Sequence, residues 1–375
     1  MQKHLCFVIG NYNNGGGTER VLSEVANGLV EHDYKVTILS LGRGLSPRFS
    51  TDEQIYLREL NIARNARKKK EKQNFFASEI QYLIWKQRLR KNIYKKIYST
   101  LQEIGPDVVI AVDIILYEYI EYSRRKLGFK AIAWEHFCLE GRNGVFLNWS
   151  RYLATRYADR VVVLSNSDLE AYQKKYPNAR KLQCIYNPIT YTPRYNADME
   201  NHVIVAAGRL VNEKGFDLLI DVWSQLGDQI GDWELRIYGE GVERKKLQTM
   251  IEERSLKNIS LCGFSHNLRD DLAKASIFAC SSRLEGWGLV LIEALSNGIP
   301  CVSFNCKVGP KEIIDDGVNG ILVPSENTGI FAKKLLLLMR DDELRHRYSS
   351  NAHKDLYKFS KSEIVGQWKA LIETI

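Results

Sequence analysis

The sequence predicts an α/β protein of two doubly wound, Rossmann-like domains, each a parallel sheet wrapped by helices. Three observations predict it. Short β-branched runs alternate with amphipathic stretches of about 10–15 residues, the pattern of βα units. The alternation stops at a polar loop containing Asn187-Pro188 and Thr192-Pro193, then starts again. The length, 375 residues, exceeds one ordinary core and suits two domains of roughly 100–200 residues each.

Taken in order, strands are expected at Leu5–Ile9, Lys35–Leu41, Asp107–Val112, Ala131–Trp134, Arg160–Leu164 and Leu182–Ile185. These define a first domain over 1–186 that includes a basic helical segment at 61–101. A second domain over 187–358 takes strands at Val203–Ala207, Glu234–Tyr238, Ile259–Leu261, Ile277–Cys280, Cys301–Phe304 and Ile321–Val323. Helical patterns follow at Thr328–Met339, Asp342–Leu356 and from about Ser362 onward. The last of these, within 359–375, adds no strand to either sheet and is expected to pack back on the first domain.

Composition narrows the class. Hydrophobic residues make 45% of the chain and charged residues 26%, as in a globular protein. No apolar run approaches the ~18–20 residues that span a bilayer. The opening Leu5–Ile9 run is too short for a signal peptide and is followed by no small-residue cleavage site. Seven cysteines are scattered without a C-x-x-C pair, which suits a reducing cytosol and no structural zinc. The net charge of +8 is local: residues 61–98 hold twelve Lys or Arg against Glu71 and Glu79. One basic element points to one anionic partner met on one side.

Ligands of open α/β sheets bind beyond the carboxyl ends of the strands, so the loops there carry the chemistry. After the first strand of the second domain comes Gly208-Arg209…Lys214-Gly215, two cations able to converge on a diphosphate. The plain alternative is a solvated loop whose charges pair with Glu213. Further on lies Glu285-Gly286-Trp287-Gly288-Leu289-Val290-Leu291-Ile292-Glu293. Here a carboxylate precedes a helix whose N–H groups can meet phosphate oxygens past the glycines. Glu293 stands among apolar neighbours and needs a partner, such as a ribose diol. Otherwise both carboxylates serve only their helix, one facing solvent and one complementing the dipole.

Near the start, Gly15-Gly16-Gly17 allows close backbone approach to a ligand, with Thr18 a plausible helix cap. The loop lacks the spacing of a dinucleotide site or a P-loop. Glu135-His136 ends another strand, where both side chains can bond substrate hydroxyls. A satisfied interior histidine is the bland reading. No D-x-D occurs, so no metal is expected to bridge a diphosphate, and Arg209, Lys214 and the helix start must carry its charge.

Together with Asn297-Gly298-Ile299-Pro300 and Asp316-Gly317-Val318-Asn319-Gly320, this set resembles the family 4 glycosyltransferases, retaining enzymes of the GT-B fold, over nearly the whole chain. The resemblance implies a GT-B protein whose two domains face a cleft. It implies that Arg209 and Lys214 hold the diphosphate, Glu293 the ribose and Glu285 the transferred sugar. It also implies that amides near Gly288 and Leu289 meet phosphate or sugar, that Gly16 and Gly17 lie near the donor phosphate, that His136 contacts the sugar, and that Phe264 lies beside the base. The donor would be a UDP-sugar, and retention would proceed by same-face attack with the leaving phosphate taking the acceptor's proton.

Glu135-His136 and Val308-Gly309-Pro310-Lys311-Glu312 are similar to bacterial enzymes that extend lipid-linked or surface glycans with hexoses or N-acetylhexosamines. The expected protein is therefore cytoplasmic and peripheral on the inner face of the cell membrane, with a glycan or lipid-linked acceptor. In the basic segment, Phe76, Ile80, Leu83, Ile84, Leu89, Ile93, Ile97 and Leu101 recur at helical spacing, as expected of an interfacial helix on anionic lipid. The competing reading packs that helix on its own domain. Two other functions stay open: a nucleotide-sugar epimerase or hydrolase of the same fold, and a non-enzymatic nucleic-acid-binding protein using the basic segment.

Overall fold

The structure, a computed structural model, describes residues 2–44, 47–62, 75–141, 143–179, 181–190 and 197–375, with the backbone alone for 75–88. The chain divides into two compact units, Met1–Pro188 with Lys361–Ile375, and Ile189–Ser360.

Unit 1 holds strands β1 His4–Ile9, β2 Lys35–Ser40, β3 Tyr56–Glu59, β4 Val108–Val112, β5 Lys130–Trp134, β6 Arg160–Val163 and β7 Leu182–Cys184. They pair in the order β3-β2-β1-β4-β5-β6-β7, every pair parallel. Helices α1 Gly17–Glu31, α2 Phe75–Ile104, α3 Tyr117–Leu127, α4 Val145–Tyr157 and α5 Asn166–Lys175 connect them. The central strands β1 and β4 are buried along their whole length, β4 as an unbroken run of Val, Ile and Ala, because helices cover both faces of the sheet. Sequence reading missed β3 for the same reason inverted. Tyr56–Glu59 is an edge strand, paired only to β2, with none of its four residues buried.

Unit 2 holds β8 Val203–Ala207, β9 Glu234–Tyr238, β10 Ile259–Gly263, β11 Ile277–Cys280, β12 Cys301–Asn305 and β13 Gly320–Pro324. Their order is β10-β9-β8-β11-β12-β13, again all parallel. Its helices are α6 Phe216–Leu226, α7 Arg244–Glu253, α8 Leu268–Leu272, α9 Leu289–Ser296, α10 Pro310–Ile313, α11 Thr328–Arg340 and α12 Asp342–Asn351. The helix expected to reach Leu356 stops at Asn351, and a 3-10 turn at Leu356–Phe359 follows Asp355, whose φ of 61° is left-handed. In both sheets the order reverses beside the first strand, between β1 and β4 and between β8 and β11. The loops after those strands flank each unit's binding crevice.

The last helix, α13 Lys361–Glu373, belongs to unit 1. Trp368 meets Trp134 edge-on at 4.7 Å, and Lys3 Nζ donates to the Ile372 carbonyl at 3.0 Å. Gly28 in α1 lets α13 close in, since a Cβ there would collide with Val365.

Helix α2 departs from its expected use. Ile93, Ile97 and Leu101 are buried in the unit 1 core, with Leu89 packed against it. Each such side chain stabilises that docking by roughly 1.5–3 kcal/mol. The second half of the apolar stripe is therefore core and is not available to a bilayer. Of the basic segment at 61–101, residues 63–74 lie outside the described residues.

Candidate functional site

The Gly208–Gly215 loop leaves β8 and closes in a 3-10 turn, Asn212–Lys214. Gly215 then turns at a φ of 61°, where a Cβ would collide with the carbonyl oxygen of Ser281. Only glycine lets this loop press onto the segment that follows β11. Hydrogen bonds seal the contact. Arg283 N and Leu284 N donate to the Glu213 carbonyl at 2.9 and 3.2 Å, Ser281 Oγ donates to the Lys214 carbonyl at 3.1 Å, and Arg283 forks onto Asp217 at 2.7 and 2.8 Å.

Lys214 Nζ is thereby held 2.6 Å from Glu285 Oε1, and Ser282 Oγ donates to the same oxygen at 2.6 Å. The pair is largely shielded, with side chains 18% and 6% exposed. Burial disfavours the Lys214 ammonium, but the Glu285 carboxylate outweighs it and raises its pKa, so the charge persists. Arg209 stands exposed close enough to oppose that charge. Glu285 neutralises one of these two cations, and a bound anion would relieve the repulsion left between them. The loop charges do not pair with Glu213, which offers its carbonyl instead.

Gly288, with a φ of 99°, is the N-cap of α9, so the amides of Leu289 and its successors begin a helix directly after Glu285. Glu293 lies one turn further on and is buried, accepting from Thr190 Oγ1 at 3.1 Å. Phe264 follows the edge strand β10 and is 48% exposed, about 10 Å from β8 at the ordinary strand spacing. The fold thus gathers Arg209, Lys214 and Glu285 at one switch point and places Phe264 two strands away.

In unit 1, Gly16 rather than Thr18 caps α1, with extended backbone. Thr18 falls in the first turn, because the helix already starts at Gly17. Across the switch, Asp113 at the end of β4 holds a φ of 90°, strained for any residue but glycine. Glu135 does not face a ligand as expected. It is buried and accepts from Arg151 Nε at 2.9 Å, Tyr172 Oη at 2.6 Å and Phe137 N at 3.2 Å. Burial holds its carboxyl above the ordinary value, with Arg151 opposing. Arg151, fully buried, also donates to the carbonyls of Leu139 and Cys138 at 3.0 and 3.2 Å. The network thus pins the loop that carries His136.

His136 is buried against Trp134, ring centroids 4.4 Å apart, and its Nε2 has no hydrogen-bond partner among the described residues. Burial pushes its pKa down to about 3, so the imidazole is neutral and can bond a hydroxyl but cannot supply a proton. The unfolded chain, at about 6.5, takes up this proton first as pH falls. The stability tied to His136 is therefore full above pH 6.5 and is lost between 6.5 and 3. Between pH 7 and 4.5 the protein should lose roughly 2–3 kcal/mol more than a His136→Asn variant, measured by denaturant unfolding. Parallel pH profiles for the two would refute this.

Ser282, Thr190, Arg151, Tyr172 and Asp113 carried no sequence signal, since each matters only for a neighbour distant along the chain or for a backbone angle. All seven cysteines are free. Among the described residues, no three His, Cys, Asp or Glu side chains are grouped to hold a metal ion, and no helix is long and apolar enough to cross a membrane.

Residues 15–192 match the family described as Glycosyltransferase Family 4, and residues 190–355 that described as Glycosyl transferases group 1. An uncharacterized glycosyltransferase of Haemophilus influenzae is 30% identical over 373 residues, spanning 99% of this chain and 100% of the relative. The chain belongs to the family 4 glycosyltransferases. This glycosyltransferase is also similar to the amylovoran biosynthesis glycosyltransferase AmsD of Erwinia amylovora, 25% identical over 98% of this chain and 99% of that one. Its GT-B fold matches the crystal structure of an S. aureus TarM mutant in complex with Fondaparinux, α-GlcNAc-glycerol and UDP, with a TM-score of 0.81, 16% identity and 99% of both chains covered.

Proposed function

We propose that this glycosyltransferase retains anomeric configuration as it moves a hexose or N-acetylhexosamine from a UDP-sugar to a lipid-linked glycan in bacterial surface polysaccharide biosynthesis. The observation that carries the reading is the shielded Lys214–Glu285 pair beside Arg209 at the unit 2 switch point. Arg209, Lys214 and the amides near Gly288 and Leu289 take the diphosphate. Glu285 bonds the transferred sugar, Glu293 the ribose, and Phe264 lies beside the base. In unit 1, Gly16 and Gly17 are assigned to a phosphate and His136 to a sugar hydroxyl.

Held by Lys214 and Ser282, Glu285 is a poor nucleophile, which supports direct same-face attack. The acceptor oxygen bonds to C1 as the C1–O bond to the diphosphate breaks, and the acceptor's proton passes to the departing phosphate oxygen. Two cations and a helix start supply the charge, so no metal is required. The name of AmsD and the UDP with α-GlcNAc-glycerol on TarM support the substrate class. The enzyme works from the cytoplasmic face of the membrane as a peripheral protein.

A thermal-shift panel of nucleotides and nucleotide sugars tests the donor. UDP or a UDP-sugar at ~100 times its dissociation constant should stabilise the protein by about 2.7 kcal/mol, with EDTA present or absent. Silence toward every nucleotide would overturn the assignment. Product analysis with an acceptor should show a retained anomeric centre, whereas an epimerase or hydrolase would alter the donor without one.

A further inference from the structure

We propose that the aromatic and basic outer face of α3 and α4 seats this protein on an anionic lipid bilayer. The inference rests on the peripheral location proposed above and names the surface that achieves it. Val145, Trp149, Tyr152 and Arg156 recur along one side of α4. Val145 is 92% exposed, Trp149 49% and Tyr152 46%, and the Trp149 and Tyr152 rings stack 5.6 Å apart at 25°. Ser150, Arg151 and Ala154, on the opposite side of the helix, are buried.

Around this stripe the exposed charges are basic. Tyr122 is exposed on α3, with Lys126 Nζ 4.4 Å above its ring, and Arg125 lies 4.9 Å above Tyr157. Lys91 and Lys95 are exposed on the neighbouring α2. The acids of α3 are turned inward and paired: Glu118 with Arg90, also accepting a hydrogen bond from Tyr94, and Glu121 with Arg124 and Arg125. Among the described residues from 118 to 158, Glu140 is the one exposed acid.

Trp and Tyr have an apolar body and a polar tip, which suits them to the headgroup layer, and Lys and Arg stems can lie along apolar surface while their charges meet anionic headgroups. A glycan platform would stack sugars on Trp149 but would leave Val145 and the basic rim without a purpose. The expected interfacial stripe of α2 cannot fill the role, since Ile93, Ile97 and Leu101 belong to the core. Helix α4 starts directly after the loop bearing His136. A lipid-anchored acceptor would thus meet this unit where its sugar-bonding residue lies.

Cosedimentation of the whole protein with phosphatidylcholine vesicles, with and without phosphatidylglycerol, tests the surface. Binding is expected only with phosphatidylglycerol, together with a blue shift of Trp emission that a Trp149→Phe variant lacks. Neutralising Lys91 and Lys126 as Lys91→Gln/Lys126→Gln should weaken partitioning about 30-fold, the equivalent of ~1 kcal/mol per basic residue. Trp149→Ser/Tyr152→Ser should weaken it at least as much with unchanged melting, because both side chains are already half in solvent. Wild-type partitioning by both double variants, equal binding to neutral vesicles, or a solution dimer abolished by Trp149→Ser/Tyr152→Ser would each overturn the proposal. No donor is present in this assay, so its outcome is independent of the nucleotide-sugar reading.

Discussion

Replacing Lys214 by Ala is expected to lower kcat/KM by about 10³-fold while leaving a folded protein. The ammonium is held 2.6 Å from Glu285 in a shielded site, where a preorganised charge is worth far more than in water. Loss of one such donor at a developing negative charge typically costs 10²–10³-fold in rate. Truncation also leaves the buried Glu285 with Ser282 as its side-chain partner among the described residues, so stability should fall by about 1–3 kcal/mol. These two effects separate in the double variant. Lys214→Met/Glu285→Gln removes the unpaired charge and should recover the melting temperature without recovering turnover. Steady-state kinetics beside thermal melts on the three proteins checks this. A Lys214→Ala enzyme within a few-fold of wild type would remove Lys214 from the catalytic machinery.

The second large effect is on stability. Arg151→Met should destabilise the protein by about 3–5 kcal/mol, because it strands the Glu135 carboxylate in the interior. For a domain of this size that lowers the melting temperature on the order of 10 °C. Met fills much of the aliphatic volume, so the stranded acid rather than a cavity dominates the loss. Glu135→Leu/Arg151→Met, which removes both charges, should regain only the part due to the stranded acid, because Tyr172 Oη, Phe137 N and the Leu139 and Cys138 carbonyls still lose these partners. Calorimetry on wild type and both variants measures the difference. An unchanged melt for Arg151→Met would mean that Glu135 is neutral there and that the ion pair contributes nothing. The folded single variant should also lose turnover, since Arg151 holds the Leu139 and Cys138 carbonyls of the His136 loop.

The strand and helix pattern was largely legible because parallel sheets covered on both sides demand uninterrupted Val, Ile and Leu runs, and these stand out between amphipathic helices. That rule also explains the miss at Tyr56–Glu59, an edge strand with no buried face to mark it. The Glu285–Glu293 segment and the Gly208–Gly215 loop were recognisable because chemistry restricts which residues can serve at a strand end. Their partnership was not. Lys214 and Glu285 are separated by 71 residues, and what joins them is a hydrogen-bonded seam through Glu213 and Arg283 that no local pattern reveals.

By itself the sequence determined the two-domain α/β class, the strand ends that carry the site, and the residue types offered to a diphosphate, since all three follow from periodicity and local chemistry. Tertiary structure alone decided which of those side chains are brought together and which are turned into the interior. Glu135 read as a substrate ligand beside His136, yet Arg151 and Tyr172, contributed by two later helices, bury it, while His136 Nε2 has no hydrogen-bond partner among the described residues. The apolar stripe of α2 read as a membrane face, and the fold turned its second half into the core while exposing Trp149 and Tyr152 on α4. An amphipathic helix announces that one face is apolar. Whether that face meets a sheet or a bilayer depends on what the rest of the chain brings against it.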